Sequence, residues 1–250
     1  MEKQIKKIIS LLVLGLFCLP SKVVAVDVNE LTDTVNKLSG NTGSPDSVKL
    51  FVLMTVLTLI PALLVLTTSF TRIIMVLSFV RSSLGTQQTP PNQVLMGIAL
   101  FLTFFIMQPV YNEVNKTAIQ PLIKDEITQA EAIGLAEKPI KKFMLKETRE
   151  KDLSLFVKHS NQKKVKNPEE LPIHIVTPAF LISELRTAFS IGFLIFIPFL
   201  IIDMAVSSIL MSMGMFMLSP VMISLPFKLL LFVLVDGWYL VVETLVRGFQ

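Results

Sequence analysis

Cysteine is nearly missing from this chain: there is one in 250 residues, Cys18, and it lies near the start. A chain trimmed past that point has no thiol, which excludes disulfides and thiolate metal sites. Histidine is almost as scarce. His159 and His174 have no ligand cluster beside them, and His174, between Ile173 and Ile175, reads as a packed structural histidine. There is no Gly-rich phosphate loop, no Ser nucleophile elbow and no His-rich metal spacing. These absences leave no catalytic constellation, no metal site and no cofactor site, so the expectation is a protein that is not an enzyme.

Net charge is also low. The formal value is +4, but Lys3, Lys6, Lys7 and Lys22 against Glu2 give residues 1–25 a net of +3, so the remainder carries +1. That excludes a strongly basic surface for nucleic-acid phosphates. Lys163, Lys164 and Lys166, beside Asn167 and Pro168 and with acids nearby, read as a solvated loop.

Apolar residues are abundant, at 52% of the chain with a mean hydropathy of +0.66, which points to several membrane segments. Residues 1–25 read as a signal peptide: a lysine-bearing start, a short apolar run, Pro20, then Val23-Val24-Ala25, with cleavage expected after Ala25. The alternative is an uncleaved anchor, although the run is shorter than the ~20 residues that span a bilayer. Residues 26–47 form a flexible polar leader, rich in turn chemistry at its end.

Residues 48–111 read as a first hydrophobic hairpin. Its first arm is the uncharged run 50–71, interrupted by Pro61; its second is 94–110, after Pro90-Pro91-Asn92. Between the arms a short polar link carries Arg72 and Arg81 without an acid. Residues 112–186 are polar, with Ile119, Leu122, Ile123 and Ile127, then Ile140, Phe143 and Met144, at helical spacing. They predict two or three amphipathic helices outside the hydrocarbon. Residues 187–250 form a second hydrophobic hairpin with arms 187–210 and 221–246. After a cleaved signal, four spans put the polar segment in the periplasm and Arg72 and Arg81 on the cytoplasmic side. Pro61, Pro109, Pro198 and Pro226 argue against four straight helices.

Within the last third, Asp203 and Lys228 are the only charges between Arg186 and Asp236. Each costs about 2.5–3.5 kcal/mol at mid-bilayer depth and so needs a partner or water. Folding the arms as a hairpin puts both about 19 Å along a helix from the turn. They form a candidate intramembrane ion pair, within one hairpin or between neighbouring copies, serving assembly or ion conduction. The turn holds Met211, Met213, Met215 and Met217, with Gly214 and Pro220 interrupting helix. Alternation puts these methionines on several helix faces. That suits a soft, deformable pore gasket better than a buried stripe, core filler being the other reading.

Five stretches resemble the FliP family of type III secretion export-gate subunits, whose injectisome branch is called SctR. PAFLISELRTAFSIGF at 178–193 is similar to its first signature, and PVMISLPFKLLLFVLVDGW at 220–238 to its second. TSFTRII at 68–74, PPNQVL at 90–95, and Phe143-Met144-Leu145 with Thr148-Arg149-Glu150 are similar too. Ser190, where relatives usually carry a longer polar side chain, and Ser219, where many have a second proline, depart from the pattern. The signal and polar leader look more like the flagellar branch.

The resemblance implies an all-α membrane protein of kinked helical hairpins with a mid-chain amphipathic segment, assembling as a helical multi-subunit channel. It implies several copies joined with FliQ and FliR, completed by FlhB and FlhA, in the bacterial inner membrane at the flagellar basal body. Unfolded flagellar export substrates would pass through, the Met-rich loops would form the gasket, and much of the assembly would sit above the membrane plane. Membrane lipid is the remaining partner and nucleic acid is none. A small ion or solute transporter using Asp203 and Lys228 is the runner-up, and an intramembrane enzyme a distant third.

Overall fold

The structure, a computed structural model, describes residues 65–86, 88–160, 167–215 and 217–249, with Met54, Thr55 and Thr58. Those three belong to a separate compact unit, Met1–Thr58; the rest belongs to Leu59–Gln250, the subject from here on. The expected signal peptide, the cleavage after Ala25, the leader, Pro61, most of the run 50–71 and Lys163, Lys164 and Lys166 lie outside the described residues.

All regular structure among the described residues is helical. Helix α1 spans Phe70–Ser83 and α2 spans Asn92–Val114. A π-helical turn, Asn115–Ile119, carries α2 into the short α3, Gln120–Ile123. Helices α4, Gln129–Glu147, and α5, Glu150–His159, make up the polar segment with a 3-10 turn at Pro168–Glu170. Helix α6 runs over Ile173–Ser212; α7, Pro220–Leu234, and α8, Gly237–Arg247, complete the chain.

Helix α1 overturns one expectation. The stretch with Arg72 and Arg81 is not a polar link but the centre of the fold. Ile73, Val76, Leu77 and Val80 recur at helical spacing and are fully buried against α2, α6, α7 and α8. Ala188 and Phe199 of α6, Leu95 and Ala99 of α2, and Phe232, Val241 and Leu245 close around them. A second, smaller core of Met144, Leu171, Val176 and Phe180 seats the polar segment on the start of α6.

Local chemistry explains the polar helices. Thr128 and Glu131 form a capping box at the start of α4: the Thr128 N–H donates to Glu131 Oε2 at 2.8 Å and the Glu131 N–H donates to Thr128 Oγ1 at 3.4 Å. Those bonds from Thr128 hold the Glu131 carboxyl below its ordinary range. In α5, Glu150 and Asp152 occupy the first turn and Lys158 and His159 the last, matching the helix dipole.

The 40 residues of α6 make a helix about 60 Å long, roughly twice a ~30 Å hydrocarbon core. The change of composition near residue 186 therefore falls inside one unbroken helix. Its first half packs with α4 and α5 while its second half is almost wholly apolar. Among the described residues, Asn92–Ile123 and Ile173–Ser212 are long and apolar enough to cross a membrane. The pair α7–α8, bent by 61°, makes a third if it counts as one span.

That bend does not fall at a proline. Pro109, Pro198 and Pro226 all lie inside continuous helices. The chain turns instead at Asp236, whose backbone is left-handed with φ 50°, a conformation Asp tolerates better than most residues. Gly237 follows, buried so close to Phe232 that a Cβ would lie 2.3 Å from its ring. Trp238 then meets that ring edge-on at 5.3 Å.

Candidate functional site

Asp203 of α6 and Lys228 of α7 face each other across the second hairpin, with Lys228 Nζ 2.6 Å from Asp203 Oδ2. Two further bonds complete the arrangement. Ser224, one turn before Lys228, donates from Oγ to Asp203 Oδ1, and Lys228 Nζ also donates to the Ser83 carbonyl at 3.3 Å. Ser83 ends α1, where the last carbonyls of a helix have no partner of their own, so the ammonium caps that helix. Three helices thus meet on one cation. The two partners differ in access: the Lys228 side chain is 3% exposed and that of Asp203 23%. Asp203 opens on a surface pocket of about 340 Å³ lined with Met204, Ser207, Ser208 and Pro220.

The methionine turn lies at the tip of the same hairpin. Met211 lies in the last turn of α6, Gly214 takes φ 76°, and Met211, Met213, Met215 and Met217 are all exposed. A Cβ on Gly214 would meet nothing within 4 Å, so its backbone conformation, not crowding, is what calls for glycine there. Asp203 and the methionines are therefore parts of one hairpin at different heights, and the structure does not bring them into contact.

A second buried charge centre did not emerge from the sequence. Arg72 of α1 grips Glu184 of α6 with both Nε, 2.9 Å from Oε2, and Nη2. Nη2 also reaches Glu147 of α4 at 2.8 Å, Nη1 donates to the Gly248 carbonyl at 3.0 Å, and the guanidinium carbon lies 3.8 Å above the Phe249 ring. The planar fork of arginine suits such a hub, where one cation ties together α1, α4, α6 and the end of the described chain. Arg72 and Glu147 in contact also correct the topology: Arg72 cannot face the cytoplasm while segment 112–186 faces the periplasm.

Beside this hub, Ser183 donates to Asp152 Oδ2 at 2.6 Å, and the Arg149 guanidinium approaches the same oxygen. The Arg149 N–H donates back to Ser183 Oγ at 3.1 Å. Burial pushes the Asp152 carboxyl up, but the bonds from Ser183 and Arg149 and the charges of Arg149 and Arg186 outweigh it and hold the group below its ordinary range. The cluster pins the start of α5 to α6. Glu147, Arg149, Ser183 and Glu184 all lie in or beside the motif stretches. The available signal was a lone acid, Glu184, in an apolar run.

Neither histidine joins a site. His159 ends α5 and His174 stands in the first turn of α6, both exposed, so His174 is not the packed residue its isoleucine neighbours suggested. Among the described residues no group of three His, Cys, Asp or Glu could hold a metal ion. A cleft of about 490 Å³ between the π-helical turn, α4 and the 3-10 turn mixes Glu113, Glu169 and Glu170 with Lys138, Lys141 and Lys142.

Comparison with known proteins falls on the same residues. The FliP family pattern matches residues 53–245. The chain is 61% identical over 203 residues to the flagellar biosynthetic protein FliP of Bacillus subtilis, covering 81% of this chain and 92% of that one. It is 51% identical over 207 residues to the FliP of Aquifex aeolicus, covering 82% and 87%. With the FliP of Buchnera aphidicola subsp. Baizongia pistaciae it shares 47% over 250 residues, covering 99% and 68%. The match spans Asp203 and Lys228, Arg72 with Glu147 and Glu184, the methionine turn and the Asp236–Gly237 corner, and the chain belongs to the FliP family.

Proposed function

We propose that this chain is a core subunit of the flagellar type III protein-export gate. Several copies assemble with FliQ and FliR into a channel for unfolded flagellar proteins, completed by FlhA and FlhB, in the bacterial inner membrane at the basal body. The observation that carries this reading, beyond family membership, is the apolar surface left outside the two packed cores. Phe101, Phe104 and Phe105 of α2, Phe193 and Leu194 of α6, and Val233 and Leu234 of α7 are all exposed. Apolar area on this scale is covered by lipid or by other chains, not by water. Segment 112–186 lies on the periplasmic side, and Arg72, tied to Glu147, lies at the same level.

The transporter reading draws less support. Lys228 is buried and bonded to both Asp203 and the Ser83 carbonyl, which suits a fixed structural joint better than a travelling charge. A relay also needs further ionisable groups at its level, and among residues 187–235 there are none besides these two. Purification in mild detergent with mass measured by native mass spectrometry separates the two. A gate subunit emerges as a multi-copy ring carrying small membrane partners, and a monomer or dimer without them would sink the gate reading.

A further inference from the structure

The methionine turn has a chemistry beyond softness. Met211, Met213, Met215 and Met217 are 60%, 62%, 42% and 101% exposed, whereas Met107 and Met144, packed in the fold, are 1% and 0%. Met96, Met204 and Met222 are exposed as well, but they sit within apolar helices, whose open faces lipid or neighbouring chains cover. The turn differs in its backbone. The helix ends at Ser212 and the next begins at Pro220, with Gly214 at φ 76° between them. Non-helical backbone does not face hydrocarbon; it lies in water, against protein, or along a water-filled opening. Met213, Met215 and Met217 on that stretch, and Met211 in the last turn of the helix before it, are open in this chain and within reach of dissolved small molecules wherever the turn borders water.

We propose that Met211–Met217 is an oxidant-responsive site, at which peroxide converts the thioethers to sulfoxides and so loosens the closed turn. In the reaction a methionine sulfur gives an electron pair to hydrogen peroxide, the O–O bond breaks, an S–O bond forms, and water leaves; the sulfur is oxidised by two electrons. The product is polar and chiral where the reactant was soft and apolar. Alternation at 211, 213, 215 and 217 concentrates four such changes in one turn. A contact between apolar thioethers becomes a contact between hydrogen-bond acceptors that donate nothing to one another, and hydration separates them. Sulfoxide reductases, one for each epimer, return the thioether at the expense of a dithiol.

The second half of this inference rests on the turn acting as a seal; the first half rests on exposure alone. The assembled complex, purified with its partners and reconstituted in phospholipid vesicles, is treated with hydrogen peroxide and followed by peptide mass mapping and by ion conductance. The expected result is one added oxygen at each of the four methionines, at least about tenfold faster than at Met107 and Met144. Conductance rises in step and falls again after treatment with both reductases. A variant with all four methionines changed to Leu is expected not to respond. Should it fail to assemble, Met217→Leu alone, at the most exposed position, is expected to slow the rise. Oxidation no faster than at the buried pair would overturn the proposal, as would full oxidation without a conductance change. That last outcome leaves the seal itself standing if replacing the same four methionines by Ala opens the channel without oxidant.

Discussion

The Lys228 ammonium carries more than one partner's worth of the structure. It neutralises Asp203, caps the end of α1 through the Ser83 carbonyl, and fills the space beside Gly85. Lys228→Ala leaves Asp203 without its countercharge and α1 without its cap, a loss expected to cost roughly 3–5 kcal/mol for a buried pair broken on one side. Asp203→Asn is milder in shape, since the amide still accepts from Ser224, but it strips Lys228 of its counterion. Both variants are expected to lower the amount of assembled complex and swimming motility together. The exchange Asp203→Lys with Lys228→Asp restores the charges but not the bond to Ser83, because a carboxylate cannot donate to a carbonyl; only part of the loss is expected to return. Complex yield on native gels and swarm diameter are the measurements, and two single variants that assemble like wild type would refute the role.

At the same scale, what the sequence could tell was uneven. Equal spacing of Asp203 and Lys228 about the turn left two options, a pair within one hairpin or one between copies, and in this chain the 2.6 Å contact is within the hairpin. Ser83 was out of reach because its carbonyl has no sequence signature and lies 145 residues from Lys228. Arg72 was misread for a related reason. A lone arginine after an apolar run looks like the end of a membrane segment until its carboxylate is found, and Glu184 is 112 residues away. The spacing of Ile73, Val76, Leu77 and Val80 was there to be read as a helix, and the charge at residue 72 drew attention from it.

Among the elements, hydropathy located the apolar segments but not how they bend. Pro109, Pro198 and Pro226 do not end the helices that hold them, and the α7–α8 corner is made by a left-handed Asp236 and a glycine crowded by Phe232. Helix α6 matters most at this scale. Being about 60 Å long, it cannot lie wholly in a ~30 Å core, and its polar half, bearing Glu184 and Arg186, is the half that α4 and α5 cover. Orientation is therefore a property of α6 and its polar partners together. Lys142 of α4 is exposed and well placed to report it. With Cys18 changed to Ser, a Lys142→Cys chain in intact spheroplasts is expected to react with an impermeant maleimide before lysis. Labelling that appears only after lysis would reverse the orientation, and with it the side on which Arg72 and Glu147 meet.

For the whole molecule, on the proposed export-gate reading, the question is what closes the channel when nothing is passing. Among the described residues the buried cations Arg72 and Lys228 are paired and two cores are filled, while the exposed helix faces are apolar and the hairpin tip is rich in methionine. A methionine side chain has three rotatable bonds and no fixed shape, so a ring of them can shut on itself and still yield to an unfolded chain of any sequence. Replacing Met211, Met213, Met215 and Met217 by Ala shortens every side chain without adding charge. None of the four is buried, so the fold loses no core, and the complex is expected to form in normal amount. The opening left behind is wider and lacks flexible tips to fill it. Vesicles carrying the variant complex are expected to pass ions and small dyes that the wild type excludes, while export of flagellar subunits continues, because a wider constriction does not hinder a threading chain. Equal conductance at equal complex content would show that the methionines do not seal the channel, leaving them as filler between neighbouring hairpins.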